Sequence, residues 1–196
     1  MQNLDTFITN DLWGKLKHRF FIEDTDSHEY RVLHYALAIF DVLSTAYSMG
    51  EKRKSLLYYS ALLHDIGYEI SPQKHDQHTG FIIMNDPIFD ILPQPERLML
   101  SLIAGGHRKK LSRETSKLLT RNQLIVKQLA GILRIADAID YPRDPHLQII
   151  DLQLHSRVLE LHIQSKAFNI IEARISQKSS LFEESFGLTI ETNEIS

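Results

Sequence analysis

Two adjacent residues, His64 and Asp65, place metal-binding side chains at the end of an apolar segment that runs from Leu56 to Leu63. Burying a carboxylate without a partner is strongly unfavourable, so Asp65 is expected to have one. A divalent cation would satisfy both side chains, because imidazole nitrogen and carboxylate oxygen are common ligands of transition metals. On a helix the two side chains lie about 100° apart, so both could face one ion, and Asp65 could bridge to a second.

Other side chains of these types occur along the chain, on different predicted elements. His28 begins one apolar stripe, and Asp137 stands in another, next to Ala136 and Ala138. A histidine at a helix start is often a cap or a surface residue, and Asp137 could instead pair with Arg134 on the same helix face. The prediction of a metal site therefore depends on these residues occurring together and in this order, and not on any one of them alone. The further candidate ligands are His75, His78 and His107.

Composition limits the classes of protein and of partner. The chain has 196 residues, 43% of them apolar, and a formal net charge of −3, which predicts one folded domain with a small appendage and no nucleic-acid partner. The absence of cysteine excludes disulfides, zinc ribbons and thiol nucleophiles. We see no signal peptide and no apolar run of ~18 residues, so we expect a cytoplasmic protein without a membrane partner.

Hydrophobic periodicity predicts a mainly α-helical bundle with a small C-terminal α+β extension, a β-hairpin packed with one helix. The helical part is expected over residues 1–145, with 1–25 as an N-terminal helical segment, and the extension over 146–196. The predicted helices are 26–48, 52–66, 75–85, from Pro95 to Gly106, 122–140 and 169–184. The predicted hairpin strands are 148–153 and 158–164, and 188–191 is a candidate last strand. The polar segment 106–121 is a candidate mobile loop, and the N-cap candidates of the first long helix are Asp24, Thr25, Asp26 and Ser27.

Several motifs together resemble the HD-domain metal-dependent phosphohydrolases. The resemblance runs from about residue 26 to the C-terminus and is nearest to the HD domain that follows the actin-like domains in the exopolyphosphatase/guanosine pentaphosphate phosphatase family. We expect a stand-alone domain of this type. The motifs are His28-x-x-Arg31-Val32-x-x-x-Ala36-x-x-x-Phe40-Asp41, Ala61-Leu62-Leu63-His64-Asp65-Ile66-Gly67-Tyr68, His75-x-x-His78, His107-Arg108-Lys109, Leu133-Arg134-Ile135-Ala136-Asp137-Ala138-Ile139-Asp140 and Phe182-Glu183-x-x-Phe186-Gly187.

The resemblance implies a set of ligands but not the family's best-known activity. It assigns a first ion to His28, His64, Asp65 and Asp137. It assigns a second ion, where there is one, to Asp65, His78 and His107, with His75 as a weaker alternative to His78. Polyphosphate hydrolysis belongs to the actin-like domains in that family, and no glycine-rich phosphate loop occurs here, so exopolyphosphatase activity is not carried over.

The expected function is a divalent-metal-dependent hydrolysis of a phosphate ester or anhydride by metal-bound hydroxide, with Asp65 and His64 as catalytic residues. The metal could be Mn, Fe, Ni, Zn, Co or Mg, and a small nucleotide-type substrate is expected. The alternative is a non-catalytic module that binds a nucleotide or polyphosphate, and a homodimer is open on either hypothesis. The basic residues expected to bind the substrate phosphate are Arg31, Lys74, Arg108, Lys109 and Arg134. The remaining histidines are expected at the surface or in packing roles.

Overall fold

The computed structural model describes residues 1–22, 26–108 and 110–195. Over these residues the fold is a helical bundle followed by a small three-stranded sheet, which confirms the predicted mainly helical fold with a C-terminal α+β part. None of the described helices is both long and apolar enough to cross a membrane. The helices are α1 (Asn10–Arg19), α2 (His28–Ser44), α3 (Glu51–Leu63), α4 (His75–Asn85), α5 (Glu96–Ala104), α6 (Thr120–Ile139), α7 (Phe168–Lys178) and α8 (Ser180–Phe186), and the strands are β1 (Gln148–His155), β2 (Val158–Gln164) and β3 (Thr189–Glu194).

Helix α6 is the centre of the bundle because it is buried on most of its sides. It packs against α2, α3 and α5, and also against α7 and α8 of the C-terminal part. The C-terminal residues share the same hydrophobic core as the bundle, since Leu161 and Phe182 are both fully buried in it. Helix α2 begins at His28, and its N-cap is Ser27, whose hydroxyl accepts a hydrogen bond from the Tyr30 N–H. The N-cap candidates Asp24 and Thr25 lie outside the described residues.

Helix α3 ends one residue before the His64-Asp65 pair, not after it as predicted. His64 is the C-cap of α3, and a 3₁₀ turn over Ile66–Glu69 follows. Helix α4 contacts this turn so closely that a Cβ atom at Gly67 would lie 2.0 Å from the carbonyl oxygen of His75. Thr79 joins the two elements, because its hydroxyl donates to the His64 carbonyl and accepts from the Gly67 N–H. The turn and α4 therefore form one rigid unit.

The C-terminal part contains the predicted hairpin, and the predicted last strand completes the sheet. Strands β1 and β2 are antiparallel, whereas β3 lies parallel to β2 after the crossover through α7 and α8. The prediction of one helix over 169–184 is wrong, because the chain divides there into α7 and α8 at Ser179. Two serines, Ser179 and Ser180, follow Lys178 here, and serine is a weaker helix former than lysine. The break lets α8 lie on α6, where the Phe182 backbone occupies the space that a side chain at Gly131 would need.

Candidate metal centre

Two groups of potential metal ligands meet at Asp65. One group consists of His28, His64 and Asp65, and the other of Asp65, His75 and His107. Within each group the ligand atoms all lie within 4.8 Å of one another. The Asp65 Oδ1 atom is 3.5 Å from His64 Nε2 and 3.3 Å from His75 Nε2, so this carboxylate lies between the two groups.

Each of the four histidines has an acceptor next to its Nδ1 atom. The Nδ1 atom of His64 lies 2.6 Å from the Ala61 carbonyl oxygen, and that of His107 lies 2.7 Å from the Ala104 carbonyl oxygen. His75 Nδ1 is 3.1 Å from the Pro72 carbonyl oxygen. A carbonyl oxygen accepts but cannot donate, so these contacts require a proton on Nδ1. In its neutral form, a ring held in this way exposes an unprotonated Nε2 atom to the centre.

His28 has the same arrangement, but its acceptor is a carboxylate. Its Nδ1 atom lies 2.6 Å from Asp140 Oδ2, and Asp140 also accepts two hydrogen bonds from Arg31, at 2.7 and 3.0 Å. A carboxylate behind a ligating imidazole is a common outer partner in metal sites, where it fixes the orientation of the ring. Asp140 and Arg31 therefore position His28.

The Nε2 atoms of these rings face one another at short distances. His28 Nε2 is 3.3 Å from His64 Nε2, and His75 Nε2 is 3.1 Å from His107 Nε2. If both nitrogens of a pair are unprotonated, with a carboxylate beside them, they repel one another unless a cation lies between them. Ligands bound ~2.1 Å from one cation are separated by about 3.0–3.4 Å at octahedral or tetrahedral angles, so the observed spacing fits a shared ion in each group.

Asp137 lies beside the first group and links it to the C-terminal part. Its Oδ1 atom is 3.5 Å from His28 Nε2, and its Oδ2 atom accepts a hydrogen bond of 2.5 Å from Lys178 Nζ at the end of α7. Arg134, the alternative partner of Asp137 and a candidate for binding phosphate, donates from Nε to the Gly106 carbonyl oxygen at 2.7 Å. The C-terminal part therefore contributes a charged group to this site.

The protonation of the ion-free centre follows from burial and from the opposed charges. Burial alone would lower the pKa of His28, but the Asp137 and Asp140 carboxylates outweigh it and raise that pKa to about 9. Burial, together with the nearby His64, lowers the pKa of His107 to about 3. Burial opposes ionisation of Asp65, yet the surrounding imidazoles, His64 first among them, hold its pKa below the usual value. The ion-free centre therefore holds ionised Asp65, protonated His28 and neutral His107 near pH 7.

Aromatic, basic and acidic residues surround the entrance to the centre, and the acidic ones include Glu29 and Glu69. A cavity of about 290 Å³ at this entrance is lined by Asp65 together with Tyr68, Arg143 and others. The Tyr68 ring stacks on the His75 ring with centroids 4.1 Å apart. Arg143 has φ of 53°, a left-handed conformation that is uncommon for a residue with a side chain, and its charge acts on both His28 and Tyr68. Arg108 also reaches this region, with Nη1 3.4 Å from His75 Nδ1.

The structure brings some of the predicted residues to the centre and leaves others outside it. His75 lies in the second group, whereas the half-buried His78 belongs to neither group among the described residues. Lys74 is exposed at the start of α4, and Lys109 lies outside the described residues. The remaining histidines are exposed, except for the half-buried His162.

Sequence reasoning gave no role to Asp140, Arg143, Tyr68 or Lys178. Of these four residues, only Asp140 could have been recognised from the sequence. It follows Asp137 by three residues at the C-terminal end of α6, a spacing that places two side chains on one helix face.

Comparison with known proteins identifies the family. A family model described as Ppx/GppA phosphatase, domain III, matches residues 13–184, which is most of the chain. The chain belongs to the Ppx/GppA phosphatase domain III family. The match covers the helices that carry the centre, and its last residues include α7 and most of α8.

Two curated relatives of this domain III chain have the same name, guanosine-5'-triphosphate,3'-diphosphate pyrophosphatase. The protein from Aeromonas salmonicida (strain A449) is 34% identical over 113 residues, which is 56% of this chain and 22% of the relative. The protein from Aeromonas hydrophila subsp. hydrophila is 34% identical over 112 residues, with the same shares of both chains. The matched region thus spans about a fifth of the length of these relatives.

Proposed function

We propose that this chain is a divalent-metal-dependent phosphohydrolase of the HD type, with Asp65 as the shared ligand of two ions. One observation carries the proposal: four Nε2 atoms converge on one carboxylate, with the Nε2 atoms of each histidine pair only 3.1–3.3 Å apart. A carboxylate with imidazoles on both sides suits two neighbouring cations. Many enzymes that act on phosphate esters use two neighbouring metal ions.

Each residue of the centre has a distinct part in this proposal. His28, His64 and Asp65 hold the first ion, with Asp137 beside it. Asp65, His75 and His107 hold the second ion, so His75 takes the part that the sequence motif assigned first to His78. When bound, such ions activate a water molecule and neutralise charge on phosphate oxygens. Arg31 stays with Asp140, where it fixes the orientation of His28.

Substrate phosphate is proposed to bind at the entrance, between Arg108 and Arg143. A guanidinium group can donate two parallel hydrogen bonds to phosphate oxygens, and both arginines lie near the ligand-bearing residues. Tyr68 stands half-exposed at the same entrance and offers an aromatic face to a base or sugar. These groups, together with the name of the two relatives, favour a small nucleotide-type ester or anhydride as substrate.

The activity screen uses the full chain, freed of metal and then loaded with Mn²⁺, Ni²⁺, Zn²⁺, Co²⁺, Fe²⁺ or Mg²⁺ in separate samples. The substrates are a nitrophenyl phosphate monoester, a nitrophenyl phosphodiester and nucleoside triphosphates. We expect hydrolysis of at least one class with at least one metal. We also expect Asp65→Ala to lower kcat by about a hundredfold or more, since it removes a ligand from both ions.

The matched control for this screen is His78→Ala. His78 lies in α4, the helix that carries His75, but it is outside the centre. The variant should retain nearly full activity. Equal activity in wild type and Asp65→Ala would overturn the proposal. Metal binding without hydrolysis of any substrate would favour a different function, a non-catalytic domain that binds a phosphorylated ligand, because such a domain could use the same ions and arginines.

A further inference from the structure

A second cavity, separate from the metal centre, is lined by residues of α1, α2 and α3 and of the segment before α1. Its volume is about 340 Å³, within the range of about 300–1,000 Å³ that small-molecule sites occupy. Helix α3 contributes residues between Glu51 and Tyr59, whereas His64 of the metal centre follows the C-terminal end of the same helix. The cavity therefore shares no residue with the metal centre.

Three aromatic side chains line this cavity, Trp13 from α1 and Tyr58 and Tyr59 from α3. The Trp13 and Tyr59 rings have centroids 5.8 Å apart and are inclined by 64°. The Tyr58 and Tyr59 rings have centroids 5.2 Å apart and are inclined by 81°. Rings inclined in this way form adjacent walls instead of a flat stack, so a compact group in the cavity contacts more than one of them. Trp13 and Tyr58 are only half-buried, which leaves their rings accessible to such a group.

The charged groups of the cavity give it a negative potential. Asp5 and Glu51 line it, and neither carboxylate forms an ion pair with another described residue. Lys54 also lines it, but its Nζ atom donates at 2.7 Å to Oδ1 of Asp41, a carboxylate that lies outside the cavity. Burial first, and then the charge of Asp5 among other groups, raises the pKa of both tyrosine hydroxyls. The lining therefore favours a ligand with a positive charge.

We propose that this cavity binds a quaternary ammonium group, such as the trimethylammonium head of choline. The faces of tryptophan and tyrosine rings attract cations, and proteins recognise quaternary ammonium ligands with several such rings. The methyl groups of the ligand also contact Ile8 and Leu37, which line the same cavity. A primary ammonium group is strongly hydrated and gains less from these apolar contacts. The site does not depend on the proposed phosphohydrolase activity.

The test is a titration of the full chain with choline, followed by the fluorescence of Trp13, the only tryptophan in the sequence, and by calorimetry. The neutral tert-butyl analogue of choline, in which carbon replaces the ammonium nitrogen, and ethanolamine should each bind at least about tenfold more weakly than choline. Tyr58→Leu should weaken choline binding about tenfold, whereas Tyr58→Phe keeps the ring and should bind as wild type does. The control Tyr141→Leu removes an exposed tyrosine outside the cavity and should leave binding unchanged.

Two further measurements test the part of the charge and the source of the ligand. Asp5→Asn keeps an acceptor for the Ser55 hydroxyl but removes the negative charge, so it should weaken choline binding about three- to tenfold without lowering the melting temperature. Retention of the chain on phosphatidylcholine vesicles, abolished by Tyr58→Leu, would support a lipid head group as the ligand, and choline binding without retention would support a soluble one.

The comparison of ligands in wild type decides the proposal even if a variant fails to fold. The proposal is overturned if choline does not bind to wild type, or if the neutral analogue or ethanolamine binds as tightly as choline does. It is equally overturned if a folded Tyr58→Leu variant binds choline with the affinity of wild type.

Discussion

At the residue scale, the centre depends on acceptors that hold the imidazoles in one orientation. Backbone carbonyls accept from the Nδ1 atoms of His64, His75 and His107, and Asp140 takes this part for His28. The Nε2 atoms are thereby fixed 3.1–3.3 Å apart within each pair. Because the orientation exists before an ion binds, little conformational entropy is lost on binding.

The affinity of the ion-free protein for metal should rise with pH. His28 has a pKa of about 9, so at neutral pH its Nε2 atom carries a proton that must leave before it can bind an ion. Below that pKa the affinity for Ni²⁺ should increase about tenfold per pH unit, and it should level off above it. Calorimetry at pH 7.5 in buffers of different ionisation enthalpy should report about one proton released. An affinity that is flat between pH 6.5 and 8.5 would contradict the assignment of His28 as a ligand.

Asp140→Asn should weaken metal binding without removing a ligand. The amide can still accept from His28, but it loses the charge that holds both His28 and Arg31. Loss of such an outer partner costs about 10–100-fold in metal affinity. The matched control is Asp41→Asn, which changes a carboxylate that pairs with Lys54 far from the centre. If both variants bind Ni²⁺ as wild type does, Asp140 has no positioning role.

Sequence order alone could identify some ligands but could not choose between neighbouring histidines. His75 and His78 are three residues apart, nearly one helical turn, so the helix prediction places both on similar faces. The choice depends on how α4 contacts the turn after Asp65, and that contact involves a residue pair distant in sequence, Gly67 and Thr79. The contact of Lys178 with Asp137 could not be predicted either, because the two residues are 41 positions apart in the sequence.

At the element scale, the position of α4 against the 3₁₀ turn over Ile66–Glu69 decides which side chains form the second group of ligands. The absence of a side chain at Gly67 allows this contact, and the Thr79 hydroxyl holds it through two hydrogen bonds. The predicted helix 75–85 agrees with α4 at both ends, so local pattern sufficed for the helix itself. Its packing could not be predicted, since it depends on a close backbone approach that periodicity does not encode.

Gly67→Ala should both destabilise the protein and abolish binding at the second group. A Cβ atom there would lie 2.0 Å from the His75 carbonyl oxygen and 2.5 Å from the Thr79 nitrogen, so α4 must move away. We expect a loss of about 2–4 kcal/mol in the free energy of unfolding measured in urea.

The matched control for that variant is Gly14→Ala in α1, where a new Cβ atom would meet nothing within 4 Å. That substitution should instead stabilise the helix by about 0.5–1 kcal/mol. Equal stability of Gly67→Ala and wild type would show that the close contact is not required.

Helix α7 contributes to the centre through the charge of Lys178. Lys178→Met should leave the Asp137 carboxylate without its cation in a mostly buried position, where both side chains are less than a fifth exposed. We expect the ion-free protein to lose about 1–3 kcal/mol of unfolding free energy, between the values for surface and buried pairs. The loss should shrink once metal is bound, because the ion supplies positive charge near Asp137. Lys166→Met, an exposed lysine just before α7, is the control and should change stability little.

At the scale of the whole molecule, the bundle and the C-terminal part share one core and one functional site. Helix α6 packs on both, and Phe182 and Leu161 are buried in the same hydrophobic cluster as the bundle residues. The predicted fold class followed from the change of hydrophobic period after about residue 146. The predicted boundary between 145 and 146 remains a prediction, and the shared core argues that both parts fold together.

The most direct test of the metal centre is the metal content of the full chain by elemental analysis, after removal of metal and addition of Mn²⁺ or Ni²⁺. Wild type should bind about two ions per chain, and His78→Ala should bind the same number. Asp65→Ala should lose most of this metal, because its carboxylate lies between both groups. Absence of metal uptake by wild type, or a full complement in Asp65→Ala, would contradict the assignment of these side chains as a shared metal centre.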